Sequence, residues 1–343
     1  MVKGFVEKMD RARFEIFIIH IPPVPDDVFS KYIRGCADHI ITVKLDLWEA
    51  REEISRLELD ALLYFDIGIH QFSYFLAFAR LAHIQCSCFG HPETTGIDNI
   101  DFIVSADSWE PIEAESHYSE KLLRLRDVGL PAYYYRPFSE ESYPCARSRL
   151  NLPTDARIYL CPQTIYKFHP DFDDTIRQIL EADSQGLFVC VETQERNWTD
   201  KLITRFRRTL GPAAERVLFL PRQKGKDWAS LAASVDVVID TPHFTGMTTT
   251  LDILSVGTPV ITWAGEFARG RQTSGIYKAM GIQECTANSQ IEAASLSVEI
   301  ASNREYRRYL SENIASHLPE VFEDRTVILQ IETFLEQELA KVQ

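Results

Sequence analysis

The sequence predicts an α/β protein built as two facing, doubly wound Rossmann-like domains with a cleft between them. Three observations carry that expectation. The chain has 343 residues, more than one compact core usually holds. Short runs rich in Val, Ile, Leu and Phe alternate with amphipathic stretches, as parallel sheets covered by helices on both faces require. Between about Glu110 and Pro153 the alternation breaks. Pro111, Pro131, Pro137, Pro144 and Pro153 fall there with Tyr133, Tyr134 and Tyr135, and the stretch reads as the crossing between domains.

In the first half, strand-like runs lie at Phe14–Ile21, His39–Val43, Ala61–Phe65, Gln85–Phe89 and Phe102–Ser105. Helical patterns separate them at Asp27–Arg34, Leu47–Leu57 and Phe72–Leu81. In the second half the strands are Arg157–Cys161, Leu187–Glu192, Val217–Leu220, Val235–Asp240 and Pro259–Thr262. Helices are expected at Pro170–Ala182, Thr199–Leu210, Lys226–Ala233, Thr248–Ser255 and Arg269–Met280. From Gln290 the chain reads as helical and ends in an amphipathic helix near Arg325–Lys341. No repeat of 20–50 residues is present, so no solenoid is expected.

Composition narrows the function. The chain is 45% hydrophobic and 25% charged, an ordinary globular balance. Its 36 basic and 50 acidic residues give a formal net charge of −14, which argues against a nucleic-acid-binding surface. A site for an anionic ligand must then be made locally, by a few basic side chains and helix N-termini. No apolar run is long enough for a membrane span. The stretch from Met1 to Asp10 is charged and lacks the apolar core of a signal peptide, so a cytoplasmic location is expected. The seven cysteines are Cys36, Cys86, Cys88, Cys145, Cys161, Cys190 and Cys285, mostly within apolar runs, and read as free buried thiols. Cys86-Ser-Cys88 has no matching Cys/His pair downstream, so no metal site is expected.

In open α/β sheets ligands bind beyond the carboxyl ends of the strands, so the loops after strands carry the candidates. The strongest is Asp240-Thr-Pro-His-Phe-Thr-Gly-Met-Thr-Thr-Thr-Leu-Asp252. A strand runs through a turn holding Gly246 into a helix opened by Thr248, Thr249 and Thr250, with Asp252 expected in its first turn. Helix N-termini present unpaired N–H groups and partial positive charge, and hydroxyls there cap the helix or donate to phosphate. Gly246 lets the backbone approach a bulky anion. A plain threonine N-cap is the alternative. Asp252 would repel phosphate and suits ribose hydroxyls better.

A second candidate is Tyr159-Leu-Cys-Pro-Gln-Thr-Ile-Tyr-Lys-Phe-His-Pro170, where Gln163 could meet a base edge and Lys167 a departing diphosphate. A surface lysine is the alternative. In the third, Cys88-Phe-Gly-His-Pro-Glu-Thr-Thr-Gly96, His91 sits in a glycine-bounded loop and could act as general base, or simply hydrogen-bond in a turn. His70 is a weaker candidate. His20, His39, His83, His117 and His317 are given no role. In Trp263-Ala-Gly-Glu-Phe-Ala-Arg-Gly-Arg-Gln272, Arg269 and Arg271 either contact an anionic ligand or form a solvated helix start.

Five ordered segments together resemble one family. They are Phe89-Gly-His-Pro-Glu-Thr-Thr-Gly-Ile-Asp-Asn-Ile-Asp-Phe, the run Cys161-Pro-Gln-Thr-Ile-Tyr-Lys-Phe-His-Pro-Asp-Phe-Asp, then Arg216-Val-Leu-Phe-Leu-Pro-Arg-Gln, Asp240 through Val256-Gly-Thr-Pro, and Gly265-Glu-Phe-Ala-Arg-Gly-Arg. The chain resembles the catalytic region of SPINDLY-type O-linked N-acetylglucosamine transferases, a family that includes, more distantly, bacterial adhesin N-glycosyltransferases. The likeness spans roughly residues 85–281 and weakens toward Phe5.

The resemblance implies a GT-B fold and inverting, metal-independent transfer of GlcNAc or Glc from a UDP-sugar to a protein or peptide side chain, with no cofactor. By position Lys167 matches the family's diphosphate-contacting lysine, Thr248 and Thr249 its helix-start phosphate ligands, and Asp252 its ribose-binding aspartate. Gln163 lies in its base-contacting segment. The Gly-His-Pro around His91 is closer to the N-glycosyltransferase form than to the Gly-Tyr-Pro of many O-linked enzymes, and Met247 stands where animal members carry histidine. Residues 1–135 are expected as the first domain, completed by a C-terminal helix at 325–343, and residues 150–320 as the UDP-sugar-binding domain. Val2-Lys-Gly-Phe-Val-Glu-Lys-Met-Asp-Arg resembles the family's first catalytic-region helix. The family's preceding strand and its tetratricopeptide array are not in the sequence, so the first domain is shortened or closes its sheet another way. A catalytically impaired UDP-sugar-binding or partner subunit, and a UDP-sugar epimerase or hydrolase, remain as alternatives.

Overall fold

In the computed structural model, residues 2–139, 143–144 and 147–341 are described. The chain divides into two compact units, Met1–Tyr135 with Val321–Gln343, and Arg136–Glu320.

The first unit runs α1 (Val2–Lys8), β1 (Phe17–His20), α2 (Val28–Cys36), β2 (His39–Thr42), α3 (Leu47–Ser55), β3 (Leu59–Tyr64), α4 (Gln71–Leu76), β4 (Ala82–Cys88), β5 (Phe102–Ala106) and β6 (Lys121–Leu125). Its strands are parallel and fall into two sheets, β1-β2 and β3-β4-β5-β6. Aspartates start two of its helices. Asp27 accepts from the Ser30 N–H ahead of α2, and Asp46 from the N–H groups of Trp48 and Glu49 ahead of α3. Val43, Ala50, Ile54, Leu76 and Leu81 form a buried cluster. Ile19 and Ile41 of one sheet and Leu59 and Leu62 of the other pack on it.

The second unit holds β7 (Arg157–Cys161), α5 (Asp171–Ala182), β8 (Gly186–Val191), α6 (Arg196–Thr209), β9 (Val217–Leu220), α7 (Gly225–Ser234), β10 (Val237–Ile239), α8 (Thr248–Ser255), β11 (Val260–Trp263), α9 (Gln272–Ala279), β12 (Thr286–Ala287), α10 (Gln290–Ser302) and α11 (Arg304–Ser316). One parallel sheet has the order β12-β11-β10-β7-β8-β9. Along the chain the sheet grows outward from β7 to β9, then restarts on the other side of β7 with β10. That reversal makes a topological switch point between β7 and β10, where loops leaving neighbouring carboxyl ends diverge and bound a crevice.

Helices cover both faces of this sheet, so its strands are apolar at nearly every position. Ile158, Tyr159, Leu160, Phe188, Val189 and Ile239 are fully buried. Burial of each large side chain contributes about 1.5–3 kcal/mol. The polar exceptions are paired: the Tyr159 hydroxyl donates to buried Asp183 at 2.7 Å, and Arg157 closes on the same carboxylate. The last helix, α12 (Thr326–Leu339), belongs to the first unit. Gln330 accepts from the Arg126 N–H and donates to the Arg126 carbonyl, both at 2.9 Å. The Phe334 ring meets Phe102 edge-on at 4.8 Å.

Several elements differ from expectation for identifiable reasons. The proline-rich break begins later than Glu110, because β6 occupies Lys121–Leu125 and pairs along the whole of β5. The helix expected at Phe72–Leu81 stops at Leu76, and the Leu81 N–H is taken instead by the Gln85 side chain at 2.8 Å. The helix expected at Arg269–Met280 is broken into a short 3-10 turn at Ala268–Gly270 and α9. The Arg269 carbonyl accepts from the Thr245 N–H and hydroxyl, at 2.8 and 3.0 Å, and so serves the neighbouring loop. Cys86, Cys88, Cys161, Cys190 and Cys285 are buried free thiols, Cys36 is partly exposed, and Cys145 lies outside the described residues. Among the described residues no helix is long and apolar enough to cross a membrane.

Candidate functional site

Two loops leave the switch point of the second unit. The one after β7 carries Gln163 and Lys167, and the one after β10 runs from Asp240 to the tip of α8. They are joined directly: the Lys167 ammonium donates to the Thr245 carbonyl at 2.8 Å and sits 4.0 Å from the centre of the Phe244 ring. Burial lowers the Lys167 pKa, and the charge of Asp240 works against that shift. A lysine held this way is a positioned cation rather than a solvated surface charge.

Asp240 organises the second loop. It is 1% exposed and accepts from the N–H groups of Thr241 at 2.9 Å and Gly246 at 2.8 Å. The Thr262 hydroxyl reaches its other oxygen at 3.3 Å. Burial pushes its carboxyl up to about 6, opposed by Thr273, the Gly246 N–H and Lys167. Gly246 is clamped at both ends, because its carbonyl accepts from the Thr273 hydroxyl at 3.1 Å. A Cβ at Gly246 would overlap the Gln163 amide and lie 2.6 Å from the Thr250 hydroxyl oxygen. A side chain at this position would therefore have to displace the buried Gln163 amide and the Thr250 hydroxyl. Gln163 is buried, with its amide against the Gly246 backbone.

The start of α8 departs from expectation in two ways. Its N-cap is Met247, not a threonine, and no side chain caps it. A thioether accepts hydrogen bonds too weakly to satisfy first-turn N–H groups, so the helix end keeps its affinity for an anion. Thr248 at the first helical position is exposed and Thr249 half-buried. Asp252 lies in the second turn, not the first, and accepts from the Trp228 indole N–H at 3.0 Å. Burial pushes the Asp252 carboxyl up to about 6, with the Trp228 bond opposing. Arg271 stands just before α9 and donates to the Gly265 carbonyl at 3.0 Å.

Seven sequence candidates thus belong to the second unit: Gln163, Lys167, Gly246, Thr248, Thr249, Asp252 and Arg271. His91 belongs to the first. It is half-buried in the loop after β4, with Nδ1 3.5 Å from Glu93. The neighbouring Thr94 hydroxyl and Thr95 N–H hold the buried Glu120 carboxylate at 2.8 and 2.6 Å. His70 caps α4 without a side-chain hydrogen bond to its backbone.

Sequence reasoning missed Asp240 as the hub of the loop, Phe244 as the ring under Lys167, and Trp228 as the partner of Asp252. It also passed over His169 and His243. Asp240 carried a signal, since a carboxylate closing an apolar strand needs donors nearby.

Solved structures match this architecture. The mutant O-GlcNAc transferase from Thermobaculum terrenum superposes with a TM-score of 0.85 at 21% identity, over 99% of this chain and 65% of that one. Anabaena Alr3699/HepE, solved with UDP and glucose, superposes with a TM-score of 0.64 at 11% identity, over 98% of this chain and 95% of that one. The fold is GT-B, with Rossmann-like α/β units, as the sequence implied. The model of Glycosyl transferase family 41 matches residues 139–325, and the chain belongs to that family. A relative named as a probable UDP-N-acetylglucosamine–peptide N-acetylglucosaminyltransferase SEC, from Arabidopsis thaliana, is 24% identical over 86% of this chain. The UDP-glucose:protein N-beta-glucosyltransferase of Actinobacillus pleuropneumoniae serotype 7 is 26% identical over 72% of it. The chain spans 30% of the length of the first relative and 40% of the second.

Proposed function

We propose that the protein transfers GlcNAc or Glc from a UDP-sugar to a protein or peptide side chain, with inversion at the anomeric carbon and no metal in the reaction. The observation that carries this reading is the pairing of Lys167 with Thr245, three residues before α8. It ties the loop that bears a half-buried ammonium to the loop that leads into an uncapped helix tip, at a sheet switch point. Those are the two features a leaving diphosphate requires: fixed positive charge and free N–H groups.

In this reading Lys167 neutralises charge on the departing diphosphate, and Thr248 and Thr249 bind its oxygens. Gly246 lets the backbone come close, Asp252 takes the ribose hydroxyls, and Gln163 and Arg271 line the base and donor. His91 remains the candidate base of the first unit. The names of the relatives support the donor and acceptor classes, since one is named for UDP-N-acetylglucosamine and peptide and the other for UDP-glucose and protein. The acceptor attacks in line as UDP leaves, and each lost oxyanion-type contact costs about 100- to 1000-fold in rate.

Titration calorimetry with UDP, UDP-N-acetylglucosamine and UDP-glucose tests donor binding, and transfer of labelled sugar to peptide tests the reaction. Absence of UDP binding, or binding indifferent to Thr248→Val with Thr249→Val, overturns the assignment. The division of the first unit's strands into two sheets favours one second reading, a chain that binds UDP-sugar without transferring it. That reading gives UDP affinity with no labelled peptide.

A further inference from the structure

His169, Asp171 and His243 meet on the surface of the second unit, although His169 and Asp171 lie after β7 and His243 after β10. One donor atom from each falls within 4.8 Å of the others. Asp171 Oδ2 is 3.0 Å from His243 Nε2 and 3.2 Å from His169 Nδ1. The two imidazole rings are 4.6 Å apart, at 77° to one another. Ligands around a tetrahedral zinc ion, with bonds of about 2.0–2.2 Å, stand roughly 3.4 Å apart. Two of the three pairs already lie close to that spacing.

Two further features point to a cation. His169 Nδ1 faces Asp171 Oδ2 at 3.2 Å, and the Asp171 N–H approaches the same nitrogen only at a long 3.3 Å. A cation between them would take the Nδ1 lone pair in place of that long contact, together with a lone pair of Oδ2. His243 also holds a left-handed backbone, φ +62°, a conformation that costs a non-glycine residue about 1–3 kcal/mol. Each of the three side chains is about half exposed, at 50–52%, so an ion has open access and a water can complete its shell.

We propose that His169, Asp171 and His243 form a binding site for a borderline divalent transition-metal ion of the zinc class, bridging the loops after β7 and β10. The two-imidazole, one-carboxylate donor set selects such ions over magnesium or calcium, which take all-oxygen shells. Zinc here would tie together the two loops that already meet through Lys167 and Thr245. Its three ligands are not residues assigned to the transfer reaction, although they lie on the same two loops, and zinc binding does not depend on that reaction.

The test uses the chain freed of any histidine tag, stripped with chelator and titrated with zinc chloride by calorimetry. Wild type should bind one zinc ion per chain with that ion removed by the chelator again, and magnesium chloride should give no heat. His169→Gln and His243→Asn should each weaken zinc binding by at least roughly 10- to 100-fold, the loss seen when even outer-shell partners are removed. Asparagine is chosen because it tolerates the left-handed backbone. His317→Gln, a half-buried helix-end histidine elsewhere in the unit, should leave the affinity unchanged. Thermal unfolding in chelator checks that all variants fold alike. No zinc bound by wild type, or equal binding in the His169 and His243 variants, overturns the site.

Discussion

The Lys167 ammonium donates to the Thr245 carbonyl at 2.8 Å, so the loop after β7 is tied to the loop after β10 by a charged side chain. The Phe244 ring 4.0 Å away covers another side of the ammonium. An ammonium has three N–H donors, and one is used here, leaving donors for a ligand. Replacing Lys167 with alanine should reduce sugar transfer by about 100- to 1000-fold while weakening UDP binding less, because the charge matters most as the diphosphate leaves. Steady-state kinetics beside calorimetry separates the two effects. Since burial lowers the Lys167 pKa, its charge is lost at lower pH than that of an ordinary lysine, and activity should begin to fall on the alkaline side before the usual lysine range. A Lys167→Ala variant with full turnover removes this residue from the reaction.

Asp252 offers a pH test with a definite sign. Its carboxyl is pushed from the ordinary 3.8 up to about 6, so the folded protein holds this proton more tightly than the unfolded chain does. The associated stability is fully present below the unfolded pKa and is lost as pH rises through about 6. Asp252→Asn keeps an oxygen for the Trp228 indole and removes the buried charge. The variant should match wild type near pH 3.5 and exceed it above pH 6 by up to about 3 kcal/mol. Urea unfolding at the two pH values reads this difference. The same variant should bind UDP more weakly, because an amide replaces the carboxylate proposed for the ribose hydroxyls. Equal stability at both pH values contradicts the burial argument.

Gly246→Ala probes the space between the two loops. The added methyl would meet the buried Gln163 amide and the Thr250 hydroxyl, which in turn contacts Thr273 at 3.1 Å. The loop has no room to retreat, because the Gly246 N–H is held by Asp240 and its carbonyl by Thr273. Overpacking of this kind costs about 1–3 kcal/mol, and UDP affinity should fall with it. Gly270→Ala is a useful contrast: its Cβ would lie 3.3 Å from Gly265 and the His243 carbonyl, a milder conflict that should destabilise less. Denaturant midpoints for the two variants settle the order.

Those tests rest on features legible in the sequence to different degrees. β7, β9 and α8 have the bounds their patterns predict, because strands packed under helices read as unbroken apolar runs and a threonine cluster after Gly246 marks a helix start. β6 was hidden by Lys121 and Arg124, which break the apolar run, and the two-residue β12 is too short to show any period. α9 begins late because the Arg269 carbonyl serves Thr245, a tertiary bond that no local window contains. The site divides in the same way. Lys167 and Thr248 stand out because each follows a strand. The hub role of Asp240 depends on an N–H six residues on, and the meeting of Asp171 with His243 spans 72 positions, so only the folded sheet brings each pair together.

The last prediction concerns the uncapped end of α8. Met247 precedes the helix and its side chain satisfies none of the first-turn N–H groups. An acidic residue at that position should interact favourably with the helix dipole, by about 0.3–1 kcal/mol, since a carboxylate suits the positive end of a helix. The same carboxylate would stand where the diphosphate is proposed to bind and would repel it. Met247→Asp should therefore raise thermal stability slightly in the absence of ligand while lowering UDP affinity, and high salt should shrink both effects by screening. Met247→Leu, which changes shape little and adds no charge, should leave both properties near wild type. Paired melting and calorimetry measure the two changes on one preparation. A Met247→Asp variant that binds UDP as well as wild type would show that the diphosphate does not use this helix end.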